Sequence, residues 1–306
     1  MKCGKSMRFI VIFSLIFLVS LFYGCAGLAA SAQEYYSIGM AYFELGKFED
    51  AEKWLNRAKL ADRTMTASQY NLGRIAFETK DYEEAAKHFE GILRKDPENL
   101  LALRAAAFTR IKMNDIEKAE EVMEKYSFPL QDNNDLILLY ARTQKALNKV
   151  EAIDTYARWL TGNPDKKVRY EYAQLLEKHE LYARAMEEYR AVLSALESAP
   201  ASSTAAGEDV KKSDVRFSLA SLLLTADASS GEGITEMETA VKEGYSNIEE
   251  IETLQKNTKV SAVNRDKLRT IINDLQRAAE EKEKNETAGK NSQKDSSETN
   301  LETGSK

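Results

Sequence analysis

The sequence predicts an all-α fold assembled from stacked helical repeats, and three observations carry that prediction. One pattern is written twice at a spacing of 34 residues: Gly39 returns as Gly73, Phe48 as Tyr82, Ala51 as Ala85 and Leu55 as Phe89. A fixed period of this length marks a stacked-repeat architecture, because a single unit cannot bury its apolar face alone. Within each unit the apolar residues fall at helical spacing. Tyr35, Ile38, Gly39 and Tyr42 share one face, and Phe48, Ala51, Leu55 and Ala58 share another. Composition agrees: 30% of residues are charged, only four are proline, and no alternating strand pattern stands out.

These residues resemble the tetratricopeptide repeat, a pair of antiparallel helices in which a small residue of the first helix lets the second approach closely. Gly39 and Gly73 match that position, and Ala51, Ala85 and Ala119 match the small residue of the second helix. Leu45-Gly46-Lys47 breaks the first helix, and Asp96-Pro97 ends the second unit. The resemblance implies a right-handed α-solenoid of five or six antiparallel helix pairs. It also implies a concave groove lined by the first helices, in which a protein or peptide partner is held.

The first residues stand outside this pattern. Lys2, Lys5 and Arg8 form a basic region, and residues 9–23 are an apolar run broken only by Ser14 and Ser20. This reads as an export signal over residues 1–24. Leu21-Phe22-Tyr23-Gly24-Cys25 resembles the lipobox of bacterial lipoproteins, with Gly24 and Cys25 in the required places and Phe22 and Tyr23 departing from the usual residues. That resemblance implies acylation at Cys25 (palmitate among the chains), and a periplasm-facing lipoprotein on either the inner or the outer membrane. Two other routes stay open: cleavage after Ala30-Ser31-Ala32, or an uncleaved anchor over residues 9–32. A cysteine placed directly after a glycine at the end of the apolar run favours lipidation. Residues 25–33 then form a tether.

Residues 34–198 hold five repeats. The third places Ala107 at the glycine position, with Ile116, Ala119 and Met123 in its second helix. The fourth uses Ala141 and Val150, and the fifth Ala173, Tyr182, Ala185 and Tyr189. Residues 199–213, rich in Ala and Ser, read as a flexible loop. Residues 214–284 read as a degenerate sixth repeat with Ala220 at the small position, followed by capping helices at 247–255 and from Asn264 onward. Residues 285–306 carry one large apolar residue, Leu301, and are expected to be disordered.

No constellation suggests catalysis, a metal or another cofactor. His179-Glu180 begins a zinc-protease pattern, but position 183 is Ala183, so the pattern fails. His88 lies within a second helix. Without Lys2, Lys5 and Arg8, the 43 basic residues fall to 40 against 49 acidic ones, a net charge of −9, which argues against nucleic acid as the partner. Carried over by repeat phase, the groove rows are Tyr36, Tyr70, Arg104, Leu138 and Tyr170; Met40, Arg74, Phe108, Arg142 and Gln174; and Phe43, Phe77, Ile111, Lys145 and Glu177. From these, Tyr36, Met40, Tyr70, Arg74, Phe77, Arg104, Phe108, Arg142 and Tyr170 are the expected partner-binding residues. Aromatic and arginine side chains supply interface hot spots, and arginine grips carboxylates in a fork. For the phenylalanines, core packing stands beside groove function. The expected role is a non-catalytic scaffold or assembly factor at the envelope, in an outer-membrane assembly or transporter complex. A small-ligand- or lipid-binding component of a transporter is the alternative, and a sealed apolar cavity would favour it.

Overall fold

The computed structural model describes residues 31–126, 133–198, 210–226 and 231–302. These are helical throughout, with fourteen helices and no strand among the described residues. The chain divides into two compact units, residues 1–147 and 148–306.

The first unit contains α1 (Ala32–Glu44), α2 (Phe48–Ala61), α3 (Thr66–Glu78), α4 (Tyr82–Leu93), α5 (Leu100–Lys112), α6 (Ile116–Lys125) and α7 (Asn134–Ala146). Each helix packs mainly on its neighbours in sequence. The hydroxyl of Ser31 accepts from Glu34 N–H at 3.2 Å while Ser31 N–H donates to the Glu34 carboxylate at 2.6 Å, so a capping box opens α1. Helix α1 thus includes the last residues of the expected tether. Asp81 caps α4, Asn99 caps α5 and Asn133 caps α7, each through its side-chain oxygen.

The turn between paired helices is the same device repeated. Gly46, Lys80 and Asn114 stand 34 residues apart, and each adopts the left-handed conformation, with φ of 71°, 66° and 59°. Around them Lys47 N–H donates to Tyr42 C=O, Asp81 N–H to Ala76 C=O and Asp115 N–H to Arg110 C=O, at 2.9, 2.8 and 3.0 Å. These bonds satisfy carbonyls that the end of the first helix leaves open. The pair then packs on its small position: Gly39, Gly73 and Ala107 lie under the second helix, and Ala107 is fully buried. Two cores fill the unit. Ala51, Leu55, Leu72 and Ile75 form the first, and the second runs from Ala76 through Phe89, Leu103 and Met123 to Leu136.

The second unit contains α8 (Ala152–Gly162), α9 (Lys166–Lys178), α10 (Tyr182–Glu197), α11 (Lys212–Ala226), α12 (Glu232–Lys242), α13 (Ile248–Lys256) and α14 (Ala262–Glu302). Glu180 and Gly244 repeat the left-handed turn, with φ of 62° and 101°. Val150 does not serve as a counterpart of Phe48 and Tyr82: α8 begins two residues later and Val150 is exposed. The core of α11–α14 gathers Leu224, Ile234, Met237, Ile251 and Leu268, with Tyr245 stacked on Phe217 at a centroid distance of 4.2 Å. Arg216 ties three elements together by bonding Glu197, Glu236 and Glu243 at 2.6–2.8 Å.

The structure differs from the sequence expectations at three element ends. Helix α14 begins at Ala262 because Ser261, not Asn264, supplies the cap, accepting from Asn264 N–H at 3.2 Å; Asn264 itself is buried. Lys212 and Ser213, expected in the loop, already belong to α11. The backbone of α14 stays helical to Glu302, past the position where disorder was expected. Most of the expected loop, residues 199–209, lies outside the described residues.

Candidate functional site: an aromatic and arginine pocket between α3 and α5

Helices α3 and α5 are the first helices of successive repeats, so residues one period apart face the same side. Tyr70, Arg74, Phe77 and Glu78 from α3 and Leu101, Arg104, Ala105 and Phe108 from α5 line a pocket of about 330 Å³, with Phe89 of α4 behind them. The rings form its floor. Phe77 lies 5.7 Å from Phe108 and 5.3 Å from Tyr82, and Tyr70 lies 5.3 Å from Phe89, all tilted. Such tilted arrangements set a positive ring edge against a negative face. Phe89 is buried, whereas Phe108 is 42% and Leu101 66% exposed. The pocket is therefore open to solvent along the Leu101–Phe108 side.

Two guanidinium groups stand at its rim in different states. Arg74 lies over the Phe43 ring at 4.4 Å and donates to Asn71 Oδ1 at 3.0 Å. Asn71 in turn donates to the Tyr36 hydroxyl at 3.1 Å and to Ala67 C=O at 3.0 Å. Arg74 is thus held in place by one repeat while facing the next. Arg104 pairs with Asp135 of α7 at 3.2 Å, and both side chains are more than half exposed. A pair this wet contributes at most about 1 kcal/mol, so a ligand carboxylate can displace Asp135 at little cost.

Five of the nine expected partner-binding residues meet in this pocket: Tyr70, Arg74, Phe77, Arg104 and Phe108. Tyr36 and Met40 are half-buried against the core of Ala51, Leu55, Leu72 and Ile75, as Tyr70 and Phe77 are against the next core, and Tyr36 positions Asn71. Arg142 is exposed on α7 and is not among the lining residues. Tyr170 lies in the second unit, where its hydroxyl shares a hydrogen bond with Ser218 at 2.9 Å, its ring packs 5.8 Å from Tyr189, and burial raises its pKa. Cys25 lies outside the described residues. Sequence reasoning missed Leu101, Glu78 and Phe89. The exposed Leu100-Leu101 doublet at the start of α5 was the available signal.

Among the described residues, no group of three or more His, Cys, Asp or Glu side chains is placed to hold a metal ion. No helix among them is long and apolar enough to cross a membrane.

Two tetratricopeptide-repeat family models match the chain, one over residues 36–99 and one over residues 76–142. No curated protein matches it in sequence. Among solved structures it is similar to YrrB, described as a TPR protein with an unusual peptide-binding site, at 14% identity over 62% of this chain and 92% of YrrB, with a TM-score of 0.51. MamA of Desulfovibrio magneticus RS-1 aligns at 17% identity over 56% of this chain and 98% of MamA, with a TM-score of 0.48. MamA of AMB-1 aligns at 18% identity over 56% and 94%, also with a TM-score of 0.48. The likeness to YrrB concerns the fold. With the repeat pattern matched across residues 36–142 and its helix pairs built on the small positions of that pattern, that stretch of the chain consists of tetratricopeptide repeats.

Proposed function

We propose that the chain is a non-catalytic scaffold that holds a protein or peptide partner in the pocket between α3 and α5, exported to the cell envelope and anchored there through a lipid on Cys25. The observation that carries the binding role is the pocket itself. Its open aromatic floor suits a bulky apolar side chain of a peptide, and Arg74 and Arg104 suit a carboxylate beside it. Its volume of about 330 Å³ is also large enough for a small molecule. The exposed Leu101 and Phe108 favour a peptide, since an apolar small ligand is better served by a closed cavity.

Lipidation at Cys25 rests on the Gly24-Cys25 pair and on the capping box. Cleavage after Ala32 would remove Ser31 and with it the cap of α1, whereas processing at Cys25 leaves that cap intact. Losing an N-cap side chain costs about 1 kcal/mol.

The test is affinity capture from detergent-solubilised envelopes with wild type and an Arg104→Ala/Phe108→Ala variant. Both side chains are well exposed, so the variant keeps its fold. A partner retained by wild type and lost from the variant supports the reading. Equal retention by both overturns it, as does the absence of any retained protein.

A further inference from the structure

The other side of α3 faces a second cavity, and the repeat itself shows what such a cavity holds. A cleft of about 370 Å³ lies between α2 and α4. Leu72, Ile75 and Ala76 of α3 form its floor, and Glu49, Glu52 and Asn56 of α2 form one wall. One period later an equivalent cleft of about 260 Å³ lies between α4 and α6, lined by Glu90, Arg110, Lys118 and Val122. These are the counterparts of Asn56, Ala76, Glu84 and His88, each shifted by 34 residues.

In the later cleft a guanidinium is present. Arg110 is only 9% exposed. Its Nη2 and Nε donate to Glu90 Oε1 at 2.6 and 3.0 Å, and its Nη1 lies 3.6 Å from Glu83 Oε2. Glu83 is the counterpart of Glu49 and Glu90 that of Asn56. In the earlier cleft Ala76 replaces the arginine with a methyl group, so the space is open. Of the two carboxylates beside Arg110, Glu83 has its counterpart in Glu49, whereas the neutral Asn56 stands in place of Glu90, and Glu52 adds a carboxylate where the later repeat has Ala86. Among the described residues, neither Glu49 nor Glu52 makes an ion pair. Burial, with Lys59 nearby, holds the His88 imidazole below its ordinary pKa, so His88 adds no positive charge at neutral pH. Lys59 is the remaining cation in the lining; Glu84 already pairs with Lys87 at 3.1 Å and Asp81 caps α4, which leaves Glu49 and Glu52 to receive a charge.

We propose that the cleft between α2 and α4 binds an arginine side chain of a partner protein. The guanidinium sits between Glu49 and Glu52, with Glu49 in the place that Glu83 has beside Arg110 and the Asn56 amide oxygen in the place of Glu90. Its aliphatic stem lies over Leu72 and Ile75, where an arginine buries methylenes while its charge is paired. This site is on a different face of α3 from the aromatic pocket, and it stands whether or not that pocket binds a peptide.

The test titrates an acetylated, amidated Gly-Arg-Gly peptide into the full chain, read by NMR shifts of α2 and α4 amides. Millimolar binding is expected, at least tenfold weaker for the citrulline peptide, which keeps the shape and loses the charge. Glu49→Gln/Glu52→Gln should weaken the arginine peptide to the same degree. Ala76→Arg should fill the cleft from within and abolish binding, with helical content retained. Arg104→Ala/Phe108→Ala should bind the peptide as wild type does. The proposal is overturned if the arginine peptide leaves the α2 and α4 amides unmoved, if citrulline binds equally well, or if the Gln pair binds with wild-type affinity.

Discussion

The ring of Phe89 lies directly over Gly73, so closely that a Cβ on Gly73 would stand 2.7 Å from Phe89 Cε1. Glycine is unfavourable in a helix interior by about 1 kcal/mol relative to alanine, so this position sacrifices local stability for a close helix–helix approach. Gly73→Ala should recover that propensity and lose more in overpacking, since Phe89 is buried and His88 Cβ stands 3.1 Å from the added atom. A net destabilisation of about 1–2 kcal/mol is expected in urea unfolding. A variant as stable as wild type would show that Phe89 moves aside freely.

Lys80 holds the left-handed turn that Gly46 makes one repeat earlier. A residue with a Cβ in this conformation carries about 1 kcal/mol of strain, while glycine does not. Lys80→Gly should therefore stabilise the protein by about 0.5–1 kcal/mol, after the larger entropy of the unfolded glycine chain is counted. An unchanged or lower urea midpoint would refute this account of the turn.

Glu177 is largely enclosed, and burial raises its pKa; the Tyr189 hydroxyl, which donates to Glu177 Oε2 at 2.6 Å, opposes this only in part. A carboxyl raised in the folded state favours folding while protonated. That contribution is complete below the unfolded value of about 4.3 and fades as pH rises through the folded value. Glu177→Gln keeps an acceptor for Tyr189 and removes the titration. The variant should match wild type in acid and exceed its Tm at pH 7. A difference in Tm that does not change with pH would contradict the assignment.

The lipid anchor makes its own prediction. Cys25→Ala should yield either a soluble exported protein or an unprocessed precursor, read by membrane fractionation and intact mass. A matured variant that remains with the membrane as wild type does would rule out the anchor.

The first repeats were legible because their packing depends on residues with few substitutes. Gly39 and Gly73 announce close helix contacts, and the spacing from Phe48 to Tyr82 fixes the phase. That phase alone brought Tyr70, Arg74, Phe77, Arg104 and Phe108 to one pocket. Tyr36 and Met40, one period before Tyr70 and Arg74, are half-buried against the first core and do not line this pocket. The phase failed for Val150 because α8 starts late. The acidic cleft was written in the sequence as the change from Ala76 to Arg110, a charged residue at a position whose counterpart is apolar. Its meaning needed the carboxylates of Glu83 and Glu90 in three dimensions, since they come from a different helix.

The left-handed residues Gly46, Lys80, Asn114 and Asn148 recur at one fixed interval of 34. This turns chain length into a quantised variable over that stretch. Excising residues 66–99 removes one whole period, so every later side chain up to α7 keeps its face. Excising 33 or 35 residues leaves the new junction one residue long or short, a mismatch that the turn at that junction has to absorb. Whole-unit changes are therefore the ones that leave every junction of this segment unaltered.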